Sequence, residues 1–471
     1  MTPPAARDDL GRALDRAAAA RPIQGNALRL YADSAAALEA MLVGIAGARR
    51  CVHFENYIIR DDATGHRFAA ALTERARAGV TVRVLYDALG SRATSGGFWR
   101  ALRAAGVEVR AFRPILGSAP AELLQRDHRK LLVVDGVHAI AGGACIGDEW
   151  AGVGRAPWRD TMLAVDGPAA AALDLTFAAV WRRAGSPLPS GELASNPAPC
   201  GDAVVRVVEG IPGRSRIYRA DQLLAATAEE RLWLTDAYFF APPPLFASIL
   251  GAARDGVDVR LLLPSSSDIP VLRNFTRMGY RDLLRGRVRV FEWRGSMLHA
   301  KTLLVDRRAR IGSSNLNVSS LLFNYELDLL VEDPGLVDEL ATQFRRDLGS
   351  SVEIVLSPRR FLPPRLVRSP AAGPAAAPLP RRSGYELGTA AAVTLHRLAG
   401  GLRRALAGTV ALTFGVIGAS LLLFPHVMSV LLAAAAFLVA GAAGWYAVVR
   451  RRRRAGAEEF EPAATRPVLR A

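Results

Sequence analysis

Lysine is nearly absent from this chain. Of its 60 Lys and Arg residues only Lys130 and Lys301 are lysine. Each follows a histidine by two places, in RDHRKLLVVDG (126–136) and in LHAKTLLVD (298–306), 171 residues apart. Arginine supplies the positive charge everywhere else, so a general need for cations does not account for the two lysines. Cysteine is scarce too. Cys51, Cys145 and Cys200 form no CxxC pair and no Cys/His cluster with metal-ligand spacing, which excludes a disulfide framework and a zinc site of that kind. They read as reduced core thiols.

Charge is missing from one long stretch. Between Ala405 and Val449 there is no Asp, Glu, Lys or Arg, and only Pro425 and His426 interrupt an apolar run. One bilayer crossing needs about 20 residues, so residues 405–449 predict two transmembrane helices with FPH at the tip of the hairpin. Arg397, Arg403 and Arg404 precede it and Arg450 to Arg454 follow, which predicts that both ends lie in the cytoplasm. The N-terminus has acidic residues early and no apolar h-region, so a secretory signal is not expected there.

The bulk residues are Ala, Leu, Val, Gly and Arg, as a GC-rich coding bias would give. The net charge of +16 favours an acidic partner, nucleic acid or an anionic membrane surface, without choosing between them. Residues 1–24 read as a polar, helical lead-in. Residues 357–400, rich in Pro, Ala and Arg, cannot build a core and read as a semi-extended linker. Residues 450–471 read as a basic cytoplasmic tail.

The intervening region repeats itself. ARRCVHFENYII, FAAALTERARAGV and TVRVLYD in the first half are matched by EERLWLTDAYFF, LFASILGAARDGV and DVRLLLP in the second. Each is a strand-length apolar run, a helical pattern ending near Gly, and a β-branched strand, which is a βαβ unit. The halves stay in step further on, where WRDTMLAVDGP with Asp160 lies 166 residues before NYELDLLVEDP with Glu326. The predicted fold is a pseudo-twofold pair of α/β domains, residues 25–195 and 196–356, each a mixed sheet flanked by helices.

In HRKLLVVD the apolar LLVV predicts a strand. Side chains two apart on a strand share a face, so His128 with Lys130, and His299 with Lys301, point the same way. Asp135 and Asp306 lie at odd spacing, which gives them a structural or orienting part. An imidazole and an ammonium on one face suit a phosphate, since the ammonium holds an oxygen and the histidine acts as nucleophile or as acid and base. Two such pairs let one histidine attack phosphorus while the other protonates the leaving oxygen. That chemistry requires no metal or other cofactor.

HxKxxxxD in two copies, with IGSSNLN after the second, resembles the phospholipase D superfamily over about residues 25–355. HFENYIIRDDATGHRFAAALTERARAGVTVRVLYDALGS, HRKLLVVDGVHAIAGG and LHAKTLLVDRRARIGSSNLNVSSLLFNYELDLLVED are most similar to bacterial cardiolipin synthases. The resemblance implies two phospholipase D-like domains and a ping-pong transfer through a phosphatidyl-histidine. By motif order His128 is the nucleophile and His299 the acid and later base, although the symmetry permits the swap. Asp135 and Asp306 complete the two catalytic motifs. Lys130, Lys301 and Asn315 would surround the phosphoryl oxygens, and Asp160 and Glu326 would each hydrogen-bond a histidine on the substrate side.

Cys145, in AGGACIGDEW, stands where the family often carries asparagine, and the hydrophobic hairpin follows the catalytic part instead of preceding it. Tyr57 and Tyr238 hold matching places in the repeat. His53, His66 and His138 lack a partnering lysine and read as structural. A multi-pass enzyme of the bacterial cytoplasmic membrane is expected, with its catalytic part cytoplasmic and phospholipids, phosphatidylglycerol foremost, as substrates. The anionic membrane is the expected partner. Nucleic acid is disfavoured for want of a binding module. A lipid hydrolase, a nuclease and a non-catalytic lipid-binding protein are the alternatives.

Overall fold

Sixteen strands line up in one mixed sheet in the computed structural model, which describes residues 9–114, 122, 124–193, 197–356 and 365–368. In the first half they are β1 (Ile23–Tyr31), β2 (Cys51–Asn56), β3 (Thr81–Asp87), β4 (Glu108–Phe112), β5 (Lys130–Val134), β6 (His138–Gly142) and β7 (Met162–Asp166). The second half supplies β8 (Ala203–Gly210), β9 (Arg231–Thr235), β10 (Asp258–Pro264), β11 (Arg289–Trp293), β12 (Thr302–Val305), β13 (Arg308–Gly312) and β14 (Glu326–Glu332), and β15 (Ser351–Val355) and β16 (Arg365–Arg368) extend its edge.

From the centre outward the first half runs β1, β7, β6, β5, β2, β3, β4 and the second runs β8, β14, β13, β12, β9, β10, β11. The second order is the first with every number raised by seven, and β1 lies beside β8 at the centre. The βαβ units make β2, β3 and β4 parallel, and likewise β9, β10 and β11. Antiparallel hairpins supply β5 with β6 and β12 with β13. Every residue of β2 and of β5 is buried, the pattern of a strand covered on both faces; β5 accordingly reads as the apolar run LLVV, whereas β2 carries His53, Glu55 and Asn56 into the interior.

Local signals agree with these elements. Asp62 caps the helix Ala63–Arg77 by accepting from the Gly65 N–H, and Arg75 and Arg77 sit in its last turn against the negative end of the dipole. Asp333 does the same for the helix Pro334–Gly349, which starts on proline, where the missing N–H costs nothing. The core of the middle is common to both halves: Phe177 and Trp181 of the helix Pro168–Trp181 join Phe344 and Leu348 of Pro334–Gly349 and the central strands. The two halves belong to one compact unit.

Two segments outside the repeat take part in the fold. The helix Asp9–Ala18 buries Leu14 and Ala18 completely in the core of the second half, and Asp15 meets Arg206 at 2.9 Å. Within the predicted linker, β16 pairs antiparallel with β15. The remainder of residues 357–400, the predicted hairpin 405–449 and the tail 450–471 lie outside the described residues. Among the described residues no helix is long and apolar enough to cross a membrane.

Candidate active site

Strand β5 begins at Lys130 and β12 at Thr302, so His128 precedes its strand by two residues, and His299 and Lys301 also lie before theirs. The expected face on a continuous strand is replaced by something else. These short segments leave their own sheet edge to pair with the opposite half, Asp127 with Tyr325 and Leu298 with Arg159. The His128 N–H donates to Tyr325 O at 2.9 Å and the Tyr325 N–H to Arg126 O at 2.8 Å. In the same manner the His299 N–H donates to Arg159 O at 2.7 Å, and the Arg159 N–H to Met297 O at 2.9 Å.

The side chains cross as the backbones do. His128 Nδ1 lies 3.0 Å from Glu326 Oε2, and His299 Nδ1 lies 2.6 Å from Asp160 Oδ2. Each histidine is therefore paired with a carboxylate from the other half. With Nδ1 engaged, Nε2 is the nitrogen left for chemistry, and the carboxylate selects its lone-pair tautomer. Lys130 Nζ donates to the carbonyl of His128 and Lys301 Nζ to that of His299, and Lys301 Nζ is also 2.9 Å from His299 Nδ1. Both lysines are buried.

The two imidazoles line one cavity of about 700 Å³, together with Cys145 and Asn315. Tyr57 stands edge-on to His128 with ring centroids 4.8 Å apart, and Tyr238 edge-on to His299 at 5.9 Å. Trp150 and Trp158 each approach the His299 ring to 5.6 Å and wall it off on the first-half side.

Burial dominates the electrostatics. It pushes the His299 pKa down, the Lys301 ammonium adds to the effect, and despite Asp160 the value falls to about 4. His128 is lowered as well, by burial first, against the pull of Glu326 and with Lys130 adding to the shift. Burial also brings Lys301 down to about 8. For Asp160 and Glu326 burial works upward but is outweighed. Lys301 and His299 hold Asp160 below the ordinary carboxylate range, and His128 and Lys130 do so for Glu326. The site thus holds two neutral imidazoles backed by two anions.

Arg126 and Arg129 flank His128 in sequence, yet both are spent on buried structure. Arg126 Nη2 reaches Asp87 Oδ1 at 2.9 Å, and Arg129 Nη2 reaches Glu55 Oε2 at 2.9 Å. Asp135 and Asp306 occupy turns with left-handed φ of 55° and 50°. Asp135 accepts from the backbone N–H groups of Arg49, Arg50 and Cys51, and Asp306 from those of Glu229, Glu230 and Arg231. Those carboxylates fasten turns. His53 is fully buried between Asp174 at 2.5 Å and Glu192 at 2.9 Å, His66 meets Asp61 at 2.9 Å, and His138 meets Asp166 at 2.7 Å. Among the described residues no group of three or more His, Cys, Asp and Glu converges as metal ligands would.

Several supporting residues escaped the sequence reading. Ser313 and Ser320 donate their hydroxyls to the two oxygens of Glu326. Asp160 is one methylene shorter and sits against Gly143, where a Cβ would come within 2.1 Å of its Oδ1. The alignment of AGGAC with IGSSN carried that signal, a glycine opposite Ser313 where the acid opposite Glu326 is aspartate. Asp236, pushed up to about 6 by burial, accepts from the Leu316 and Tyr238 N–H groups and so holds both beside Lys301.

The family model described as "Cardiolipin synthase, PLD-like domain" matches residues 41–179 and 222–348. Among similar curated proteins, cardiolipin synthase A of Pseudomonas aeruginosa is 35% identical over 359 residues, covering 74% of this chain and 72% of the relative. The cardiolipin synthase of Oceanobacillus iheyensis is 30% identical over 337 residues, covering 70% of each. Of solved structures, the phosphatidylserine synthase of Haemophilus influenzae superposes with a TM-score of 0.58 at 15% identity, over 77% of this chain and 92% of that one. A polyphosphate kinase from Porphyromonas gingivalis gives 0.51 at 14% identity, over 80% and 53%. At those identities the two structures speak for the fold alone.

Proposed function

Because the chain belongs to the cardiolipin synthase family, with its phospholipase D-like domain, we propose that it moves a phosphatidyl group from phosphatidylglycerol to the hydroxyl of a second phosphatidylglycerol through a phosphohistidine on His128. The protein is an enzyme, a phospholipid phosphatidyltransferase. The observation that carries the proposed mechanism is the pair of crossed histidine–carboxylate contacts facing one cavity.

His128 Nε2 attacks phosphorus, and the bond from phosphorus to the departing glycerol oxygen breaks. His299, as imidazolium, gives that oxygen its proton. The low proton affinity of His299 before substrate binds is no obstacle. A bound phosphodiester brings a negative charge beside the ring, which favours the protonated form. The acceptor hydroxyl then yields its proton to His299 and its oxygen displaces His128 from phosphorus, which restores both imidazoles. Glu326 stays anionic and stabilises the positive charge on His128 in the intermediate. Lys130 and Lys301 hold the non-bridging oxygens and Asn315 adds an amide. Cys145 gives the first half no equivalent, so the oxyanion contacts are lopsided.

The uncharged run 405–449 supports two membrane spans with both flanks cytoplasmic. A tag placed after Arg454 should be shielded from a periplasmic probe in intact cells, and labelling there would overturn that topology.

The activity test uses the full chain in membranes supplied with phosphatidylglycerol alone, and then with a second alcohol added. Diphosphatidyl lipid is expected from phosphatidylglycerol alone. Phosphatidic acid without any diphosphatidyl lipid would sink the transfer reading in favour of hydrolysis.

A further inference from the structure

Eleven large apolar side chains are exposed among the described residues; three of them belong to the cavity mouth and two more adjoin its lining in sequence. Phe240, Ile269 and Val318 line the mouth itself. Met278 ends the helix that carries the lining residue Thr276, and Phe323 precedes the lining residue Asn324. Met278 is 74% exposed and Phe240 56%. All five belong to the second half.

The first half shows that the fold does not demand this. Asn56 Oδ1 accepts from the Ile58 N–H as Asp236 Oδ1 does from that of Tyr238. The Arg60 N–H then donates to Ile146 O as the Phe240 N–H does to Leu316 O. Phe240 therefore stands where the first half has Arg60, and Val318 where it has Asp148. Arg60 pairs with Glu149 at 2.9 Å, and Asp148 accepts from the backbone and hydroxyl of Thr64. At these equivalent backbone positions one lip carries paired charges and the other exposed apolar side chains, beside which Asp268 accepts from the Tyr238 hydroxyl.

A substrate with two acyl chains explains the difference. Its phosphodiester must reach the histidines, while every methylene drawn into water would oppose the move. On the polar side Arg92 is exposed at the same mouth, a charge matched to anionic headgroups. We propose that the second-half lip seats in the headgroup and upper acyl region of a phospholipid bilayer, so that the cavity opens directly onto the lipid surface. This rests on the phosphatidyl-transfer reading for its substrate.

The test takes the full chain in proteoliposomes of phosphatidylglycerol and phosphatidylcholine. Cys200 is the exposed cysteine, Cys51 and Cys145 being buried, so C200S gives a background for single nitroxide labels. Labels go at F240C and M278C, with V43C as control, since Val43 is 73% exposed but away from the mouth. The labels at 240 and 278 should be accessible to oxygen and protected from a water-soluble nickel relaxant, while the label at 43 shows the reverse. All three in water would overturn the proposal. So would labels at 240 and 278 that are shielded from both agents and coupled to each other across molecules, because a second copy would then cover the lip.

A second arm compares turnover by M278S/F323S on bilayer phosphatidylglycerol and on a short-chain form dispersed as monomers. The bilayer rate should fall about tenfold, with the monomer rate unchanged. An equal fall in both would assign the lip to the cavity and refute bilayer seating. If the unmodified enzyme makes no diphosphatidyl lipid while the labels still lie in the bilayer, the transfer reading fails and this one stands.

Discussion

Each histidine of the doubled motif answers to a carboxylate that the chain reaches by another route. Glu326 serves His128 and Asp160 serves His299, although each acid is nearer in repeat order to the other ring. The two acids raise the proton affinity of the rings they touch. Glu326→Gln should therefore lower the titration of His128 still further and leave His299 nearly unmoved, with Asp160→Asn doing the opposite, as read from imidazole resonances of selectively labelled protein. Turnover should fall about 10²- to 10⁴-fold in either variant, the range for losing the group that orients a catalytic histidine. A Glu326→Gln protein in which only His299 shifts would refute the crossed pairing. The lysines fit the same scale. A compact ammonium, buried and donating to the carbonyl of its own histidine, occupies a place where a planar guanidinium would not fit.

Among the elements, tight turns close β5 and β12 at the strand ends away from the histidines. Asp135 gathers three backbone N–H groups from the start of β2 while holding a left-handed φ that alanine adopts poorly. Asp135→Ala should destabilise the protein by about 1–3 kcal/mol, seen as a lower urea midpoint. Asp135→Asn should lose less, since asparagine tolerates that φ and keeps an acceptor. Turnover per folded molecule should stay near that of the parent in both, and a collapse of turnover with stability intact would return Asp135 to the chemistry. The βαβ order and the doubled His-x-Lys segments were legible in the sequence because helix and strand periods are local properties of the chain. The crossing was not, because it depends on how the halves dock about β1 and β8. Tyr57 and Tyr238 do not hold the same place after all: Tyr238 is equivalent in backbone register to Ile58, one residue on, although both rings reach their histidines. The helix Asp9–Ala18 did carry a sign of its burial, since Leu10, Leu14 and Ala18 recur every fourth residue on one face, but which surface covers that face is set by a distant sheet.

At the scale of the whole molecule the halves are joined by a common core and by buried groups whose charge states depend on that junction. Its response to acid follows from the sign of each shift. His299 titrates near 6.5 unfolded and near 4 folded, so between those values the unfolded chain binds the proton and the folded one does not. Stability from this group is full above 6.5 and drains away as the pH falls towards 4. His128 is lowered too and acts in the same direction. Asp160 and Glu326 lie below their ordinary values, so their contribution is present above those values and is lost on further acidification. Lys301, at about 8, is protonated in both states throughout this window and adds no slope. Asp221 and Asp236, pushed up to about 7 and about 6 by burial, oppose this slope, so the imidazole part is read by difference: between pH 6.5 and 4 the melting midpoint of the parent should fall more, or rise less, than that of a His299→Gln variant. Because Phe177 and Phe344 share one core, the tryptophans of both halves should report a single transition. Trp99 and Trp150 belong to the first half, Trp233 and Trp293 to the second. Two separated transitions, one for each pair, would mean that the halves fold on their own, and a pH slope unchanged in His299→Gln would mean that this buried imidazole is not neutral at rest.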